Sequence, residues 1–544
     1  MVLWTGFIAL CCSSLCAQER WVYCYNFPGI WADWAKSIVM GSDGNLYVAG
    51  RSPGAREESA FTVISLTPSG AERWVYDGPE PRNWGDAQSI VMGVDGNLYA
   101  AGAQLGVYCD FTVVSLTPTG RERWVYRYNG PGNYHDGALS IVVGSDSNLY
   151  AAGSSAGTVF ECDLTVISLT LSGAERWIYC YNGLGNWLDA AHSVVMGGDG
   201  NLYVAGYSVG NGTDYDFTVI SLTASGSERW VYRYNGPGND LDEAYSIVMG
   251  SDGNLYAAGY SWGNGTSNDF IVISLTSGGG ERWVYRYNRP GDCLDAASSI
   301  VMGSDGNLYA SGYSGESETH YDFTIVSLTP SGGERWIYCC DDSVGRYRHD
   351  PSSIVMGGDG NLYAGGWTAH TGTGYDFTVV SLTLAGEERW VYTYNGSGND
   401  GDWAHSIIMG SDGNLYAAGM TWAEAGGYVF TVISLTPDVG VEERPRARGK
   451  RQDARLELSA WPTPALGGVN IHYYLPKATE VKLAIYNSSG GLVKNLVNAA
   501  EEIGSKSVFW DGRDESGDEV PSGTYFCLLT QGGFTATTKV ILLR

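Results

Sequence analysis

The sequence predicts an all-β chain: an eight-bladed β-propeller of four-stranded antiparallel blades, with an N-terminal strand closing the last blade, followed by a small Ig-like β-sandwich. Three observations carry this. The tetrapeptide Asp-Gly-Asn-Leu, once Asp-Ser-Asn-Leu, begins at Asp43, Asp95, Asp146, Asp199, Asp252, Asp305, Asp359 and Asp412, so a unit of about 53 residues recurs eight times. Each copy holds four short apolar runs bounded by turn residues, and no segment sustains helical periodicity. Glycine supplies 76 of 544 residues, roughly twice the usual ~7% share, as repeated tight turns require.

From the N-terminus, residues 1–17 read as a secretory signal peptide. Met1 to Leu15 are uncharged and mostly apolar, and Cys16 and Ala17 precede the polar Gln18, Glu19 and Arg20. No later apolar run approaches the ~18 residues of a membrane span, so none is expected. The cysteines beyond residue 17 show no metal spacing and read as free thiols. Cys162 with Cys180, flanking one hairpin, is the alternative pairing.

Residues 18–436 form the propeller. In the fifth copy the runs are Ser246–Met249, Asn254–Gly259, Phe270–Thr276 and Glu281–Tyr285, and Gly-Ser-Asp-Gly and Ser-Gly-Gly-Gly join them into hairpins. Four antiparallel strands per unit suit a propeller blade, whose faces pack on neighbours and whose radial arrangement protects its edges. The small residues ending the second strand, most often Ala-Ala-Gly, and the tryptophan of the fourth are expected to meet between blades. Glu-Arg-Trp starts at Glu19 before any complete blade, whereas its slot in the last copy reads Glu443, Arg444, Pro445, and proline cannot donate to a ladder. Arg20 to Tyr23 are therefore expected to complete the last blade.

These copies resemble the propeller repeats of SBBP-type bacterial secreted proteins, with a pattern similar to Asp-x-x-Gly-Asn-x-Tyr-x-x-Gly followed by Phe-x-Val. Here the Asp directly precedes the Gly. The resemblance covers roughly residues 19–436 and implies fold and export, not a ligand. Quinone-dependent dehydrogenases share the eight-bladed architecture, but the one-off cofactor and metal-ligand pattern is missing here, so no cofactor and no metal are expected.

Residues 437–455 read as a basic linker: Arg444, Arg446, Arg448, Lys450, Arg451 and Arg455 fall within twelve positions. Residues 456–544 alternate strand runs with turns, as a sandwich of about seven strands does. The segment with Trp510, Asp511, Gly512, Asp514, Gly517, Gly523 and Tyr525 resembles the Ig-like domain of flagellar hook-capping proteins. It is also similar to the C-terminal sorting domains of type IX secretion cargo, which end in a tail like Lys539 to Arg544. Trp461 to Pro464 and Asn487 depart from that pattern. The resemblance implies secretion sorting or surface attachment, with the secretion machinery as partner, and turn roles for Asp511, Asp514 and Asp518.

Asp and Glu outnumber Lys and Arg by 59 to 32, a formal charge of −27. This argues against a nucleic-acid partner, which needs a basic face, and 13% aromatics argue against disorder. The Asp-Gly-Asn and Pro-Ser-Gly turns should share one uniform face, and the fourth-to-first and second-to-third connections the other, variable one. On that face Asp33, Asp136, Asp189, Asp242, Asp295 and Asp402 precede each first strand, with Asp86 and Asp350 as shifted counterparts. Asp110, Asp163, Asp216, Asp269, Asp322 and Asp376 precede third strands. Two readings stand: a carboxylate ring binding a cation or sugar, or acids that cap their own loops. Because a residue repeated in nearly every blade usually serves the blade, capping is the favoured one. Trp34, Trp84, Trp187, Trp262, Trp367, Trp403 and Trp422 lie in or beside the same connections, where rings stack on sugars or pack under loops. Trp34, Trp262 and Trp403 are the ligand candidates. His135, His320, His349 and His370 occur once, His192 and His405 share one repeat position, and His472 lies in the sandwich; all read as loop or packing residues.

The functional expectation is a secreted or surface-displayed, monomeric, non-catalytic protein that binds a glycan or protein on the variable face, with no catalytic residue assigned. The alternative is an extracellular propeller enzyme: a polysaccharide lyase, a glycosidase or a quinoprotein-like oxidoreductase. An enzyme requires two or more non-repeated ionisable residues converging in one pocket.

Overall fold

Each repeat copy folds as one antiparallel sheet, and eight four-stranded sheets are present in a propeller-like arrangement. The computed structural model describes residues 18–437 and 457–543, apart from 26–32, 54–58, 80–83, 107, 159–160, 291–292, 318–319, 341–349, 371–372, 424–425, 462–464, 467, 476–478, 502–503 and 532–533. The segment expected to be a signal peptide, 1–17, lies outside these, as does the expected linker apart from Pro437. We number the sheets 1 to 8 along the chain. Sheet 1 comprises Trp34–Met40, Leu46–Pro53, Ser59–Leu66 and Glu72–Asp77. Sheet 5 comprises Asp242–Met249, Asn254–Trp262, Asn268–Thr276 and Glu281–Tyr287. In sheet 8, Trp403–Met409, Leu415–Trp422 and Tyr428–Thr436 are joined by Gln18–Tyr25, which pairs antiparallel with Tyr428–Thr436.

First strands of successive sheets touch one another in a cycle that returns from Trp403–Met409 to Trp34–Met40, so they converge on a common axis. Between sheets lie apolar clusters. Tyr47, Ala49, Phe61 and Val63 of sheet 1 pack on Ala87, Ile90, Leu98 and Ala100 of sheet 2, and Tyr416 and Phe430 of sheet 8 pack on Ala35 and Ile38 of sheet 1. The outer edges are hooked together. Trp74 Nε1 donates to Pro118 O of the next sheet at 3.0 Å and Tyr76 donates to Glu122 at 2.5 Å; Trp21 and Tyr23 repeat this against Pro68 O and Glu72.

The expected meeting of small residues and tryptophan is corrected in detail. Trp74 seats on the turn glycine Gly120 of the next sheet, whose φ of +83° and missing Cβ leave room for the indole. The glycine ending each second strand serves its own sheet. A Cβ on Gly102 or Gly206 would overlap the carbonyl oxygen of Asp86 or Ala190 on the paired first strand. There the register shifts by one residue, a β-bulge, between Ala87 and Ser89 in sheet 2 and between Ala191 and Ser193 in sheet 4. First and second strands also extend further than expected, so Trp262 ends a strand. Cys162 and Cys180 are free thiols and form no disulfide.

The C-terminal unit is a compact body of its own. A three-stranded sheet (Glu457–Trp461, Val469–Leu475, Gly504–Trp510) and a five-stranded sheet (Ala465–Leu466, Phe534–Leu543, Gly523–Gln531, Thr479–Asn487, Leu492–Glu501) enclose a core of Ile471, Leu483, Ile485, Trp510, Cys527, Leu529 and Val540. Leu492–Glu501 is an edge strand with two register shifts, and its asparagines and lysine interrupt the apolar alternation.

Two stability outcomes follow. Removing residues 18–25 strips sheet 8 of its fourth strand and of three hooks, those of Trp21 and Tyr23 and the bond from Tyr392 to Glu19, and lowers and broadens the thermal melt; an unchanged melt contradicts the pairing. Gly206→Ala lowers stability by about 3 kcal/mol or more through backbone overlap, whereas Gly198→Ala, with nothing near its added methyl, stays within about 1 kcal/mol.

Candidate functional site

The uniform face is built from satisfied hydrogen bonds. Asp43 Oδ2 accepts from Asn45 Nδ2 at 2.8 Å and Tyr47 OH at 2.6 Å, while Arg73 Nη1 donates to Tyr47 and to Ser65 Oγ. Burial raises the Asp43 carboxyl, but the bonds from Tyr47 and Asn45 outweigh it and hold it below the usual carboxylate range. The same set recurs at Asp95, Asp146, Asp199, Asp252, Asp305, Asp359 and Asp412. At the axis this face ends in methionines. Met196, Met249, Met302 and Met356 line a cavity of about 710 Å³, and Met92 Sδ accepts the Ser42 N–H at 3.1 Å. The signal was present: seven of nine methionines end a first strand.

On the variable face the repeated aspartates are spent on the backbone. Asp136 accepts Gly130 and Ala156 N–H, both at 2.7 Å, Asp189 accepts Gly183 and Val209, and Asp242 accepts Gly236 and Trp262. Asp295 takes Arg289 and Gly315, and Asp402 takes Gly396 and Trp422. All five are buried, as is Asp33. Each ties the connection leading into its sheet to the end of the second strand, which is the capping arrangement. Burial raises these carboxyls, to about 6 for Asp189 and Asp242 and about 7 for Asp295 and Asp402, against the lowering effect of the backbone donors. Of the acids before third strands, three pair with arginines: Asp216 with Arg233 at 2.7 Å, Asp269 with Arg286 at 2.5 Å, and Asp322 with Arg289.

Asp86 is not an equivalent of these. It pairs with Ala103 as Trp34 pairs with Arg51, and Gly85 holds the capping position in its sheet. Asp350 has the same register, opposite Trp367. The sequence reading gave them as shifted counterparts, and the shift of one residue places each acid opposite a different second-strand residue from the capping acids.

That offset exposes the feature the sequence reading missed. In each first strand the bulge inserts one extra residue: Lys36, Gln88, Leu139, His192, Tyr245, Ser298, Ser352 and His405. Bulges re-aim side chains, and these approach one another around the axis, His192 lying 5.1 Å from Tyr245 of the next sheet. The pair preceding each bulge varies equally: Trp34 with Arg51, Asp86 with Ala103, Glu243 with Tyr260, Trp403 with Met420. Variation among otherwise uniform copies was the available signal.

Two opposed quadrants result. Around sheets 8, 1 and 2, the Arg51 guanidinium lies 3.7 Å and Lys36 Nζ 4.7 Å from the Trp34 ring centre, and Gln88 Nε2 donates to Asp86 Oδ2 at 2.9 Å. Tyr428 links Trp34 (6.4 Å, edge-on) to Trp403 (5.6 Å, stacked), and Trp367 and Tyr375 continue the aromatic run into sheet 7. Burial pushes Asp86 up to about 6, with Lys36 and Arg51 opposing; burial also lowers Lys36 and, with Lys36, holds His405 near about 3. Trp34 Nε1, Arg51 Nε, Asp86 Oδ1, Trp403 Nε1 and His405 Nε2 are buried without a hydrogen-bond partner in the protein. Each such atom costs about 1–3 kcal/mol, and five in one place mark a site where polar chemistry awaits a partner. Around sheets 4 to 6 stand Glu243, 3.6 Å from His192 Nε2, and Tyr207, Tyr245, Tyr260 and Tyr313. Trp262 ends the second strand of sheet 5 and packs against Gly238 in the connection that leads into that sheet. Among the other histidines, His135 meets Tyr108 and Tyr134 edge-on, and His320 contacts Asp322; His349 and the side chains of His370 and His472 lie outside the described residues.

In the C-terminal unit the motif is a turn scaffold. Trp510 is buried and donates to Arg513 O at 2.8 Å, Asp511 accepts Lys494 Nζ, Asp514 accepts Ser516 and Asp518 N–H, and Tyr525 OH donates to Pro521 O. Gly512 and Gly517 have φ of 68° and 84°, and Gly523 opens its strand.

Propeller-like sheets around a chemically varied axis, joined to an Ig-like unit, define the class. Residues 465–531 match the FlgD Ig-like domain family, so the chain carries that domain at its C-terminal end. The chain is similar in structure to PorZ, a surface component of the type IX secretion system of Porphyromonas gingivalis (12% identity, TM-score 0.39, covering 92% of this chain and 68% of that one). It is also similar to the extracellular domain of a hybrid two-component system from B. thetaiotaomicron (11%, 0.35, 93% and 72%). No curated protein matches the sequence. Among the described residues no helix is long and apolar enough to cross a membrane, and no cluster of three His, Cys, Asp or Glu is placed for a metal.

The carboxyls set a pH dependence. Folded pKa values raised above the unfolded ~3.8 mean that the native state holds extra protons up to about pH 7, so stability falls as pH climbs through 4–7. The turn aspartates, held low, lose their contribution as pH drops below about 4; His405 opposes the first trend alone. The melting temperature should peak near pH 4–5, and a maximum above about pH 7 contradicts the assignment.

Proposed function

We propose that this chain is an exported eight-bladed propeller, closed by its N-terminal strand, that binds a glycan or protein ligand at the variable-face end of its axis and does no chemistry on it. The C-terminal domain serves secretion sorting or surface attachment. The observation that carries this reading is the concentration of variation: the eight copies share nearly every hydrogen bond, yet differ at the bulge residue and the pair before it. A position freed from the repeat's structural demands is free to recognise something. Trp34 and Trp403 are the anchors, and Asp33, Asp136, Asp189, Asp242, Asp295 and Asp402 hold the surrounding connections rather than touch ligand.

A glycan array and a parallel protein pull-down of the full chain test this. Ligand capture is expected, with a loss of about tenfold in Trp34→Ala/Trp403→Ala and little change in Trp262→Ala. Undiminished capture by the double variant sinks the site. Deleting 456–544 is expected to abolish display at the cell surface, and normal display without it removes the sorting role.

A second reading rests on Lys36, Asp86 and His405, three ionisable groups converging from three sheets, with Asp86 at about 6 suited to proton transfer near neutrality. Turnover of a polysaccharide by the wild type and its loss in Asp86→Asn would favour an enzyme.

A further inference from the structure

We infer that the quadrant formed by sheets 8, 1 and 2 is a binding site for an acidic saccharide, a sugar ring carrying a carboxylate. This deepens the binding reading and rests on it. Charge comes first: Lys36 and Arg51 gather at the Trp34 ring with Asp86 facing them, while the other carboxylates of the quadrant lie behind, Asp33 and Asp402 buried, Asp402 on the backbone N–H groups of Gly396 and Trp422, and Asp400 beside Tyr428. An anionic ligand is favoured here and disfavoured at the Glu243 side.

The unpaired atoms narrow the chemistry. Trp34 Nε1, Trp403 Nε1 and Arg51 Nε are donors without acceptors, and they suit a carboxylate. Asp86 Oδ1 is an acceptor without a donor, on a residue only 7% exposed. An acidic peptide side chain would satisfy the donors and leave Asp86 facing a second anion. A uronate ring brings a carboxylate and hydroxyl donors on one rigid frame, so both kinds of unpaired atom are met together. The rings of Trp403, Tyr428 and Trp367 border the same quadrant, and sugar C–H faces pack on such surfaces. The apolar methionine end of the axis offers none of this.

Calorimetric titration of the full chain with trigalacturonate, its methyl ester and a triglutamate peptide tests the inference. The acid should bind at least about tenfold more tightly than the ester, as one charge-assisted contact pair predicts. Lys36→Met, which keeps the side-chain volume, should erase that difference, and Glu243→Gln across the axis should not. Raising salt from roughly 20 to roughly 200 mM should weaken the acid and spare the ester, a comparison that needs no variant to fold. Equal affinity for acid and ester overturns the inference while leaving sugar binding intact. Triglutamate binding as tightly as trigalacturonate overturns the saccharide assignment. If no probe binds, the site assignment fails, and the array and pull-down decide separately whether the chain binds any ligand.

Discussion

The structure depends on one close approach, repeated around the axis. Where the second strand of a sheet ends, its glycine lies beneath a first-strand carbonyl oxygen, with no space for a Cβ at Gly50, Gly102, Gly153, Gly206, Gly259, Gly312 or Gly419. That contact accommodates the bulge, and the bulge has two effects. It opens the first strand so that a buried aspartate can reach back to the end of the second, and it turns one extra side chain toward the other sheets' extra side chains. Scaffold and candidate site therefore share a cause.

Stability and recognition are consequently assigned to different parts of each repeat. The uniform face and outer edge satisfy nearly every polar atom locally: Asp with Asn and Tyr, Arg with Tyr and Ser, Trp with a carbonyl of the next sheet. These bonds reappear from copy to copy within a few tenths of an ångström, as the Trp Nε1 distances of 3.0 to 3.3 Å show. The variable end of the axis has the opposite character, with unpaired donors and acceptors beside two cations and a line of aromatic rings. The uniform face and outer edge offset that local penalty, which explains how the copies can be so alike and the axis so heterogeneous.

Much of this was legible from residue order. The period, the turn signals and the displaced Glu-Arg-Trp at Glu19 identify the sheets and the strand that joins Tyr428–Thr436, because local turn chemistry and proline's missing N–H act through near neighbours in the chain. The capping role of Asp136 or Asp242 was legible for the same reason: a residue repeated with its loop serves its loop. Asp86 was legible as shifted by one residue, but not its meeting with Lys36 and Arg51 of another sheet, and Trp262 was overvalued because its packing against Gly238 depends on the path of another connection.

What the sequence by itself determined is the repeat, its strands, its turns and the Ig-like segment, since these follow from periodicity and short-range hydrogen bonding. What only the tertiary structure decided is which side chains meet. Lys36, Arg51, Asp86, Trp403 and His405 span more than three hundred and fifty positions of the chain, and no local pattern links them. They converge because radial packing returns the last sheet to the first, and because each bulge turns its extra residue toward the axis where the eight sheets meet.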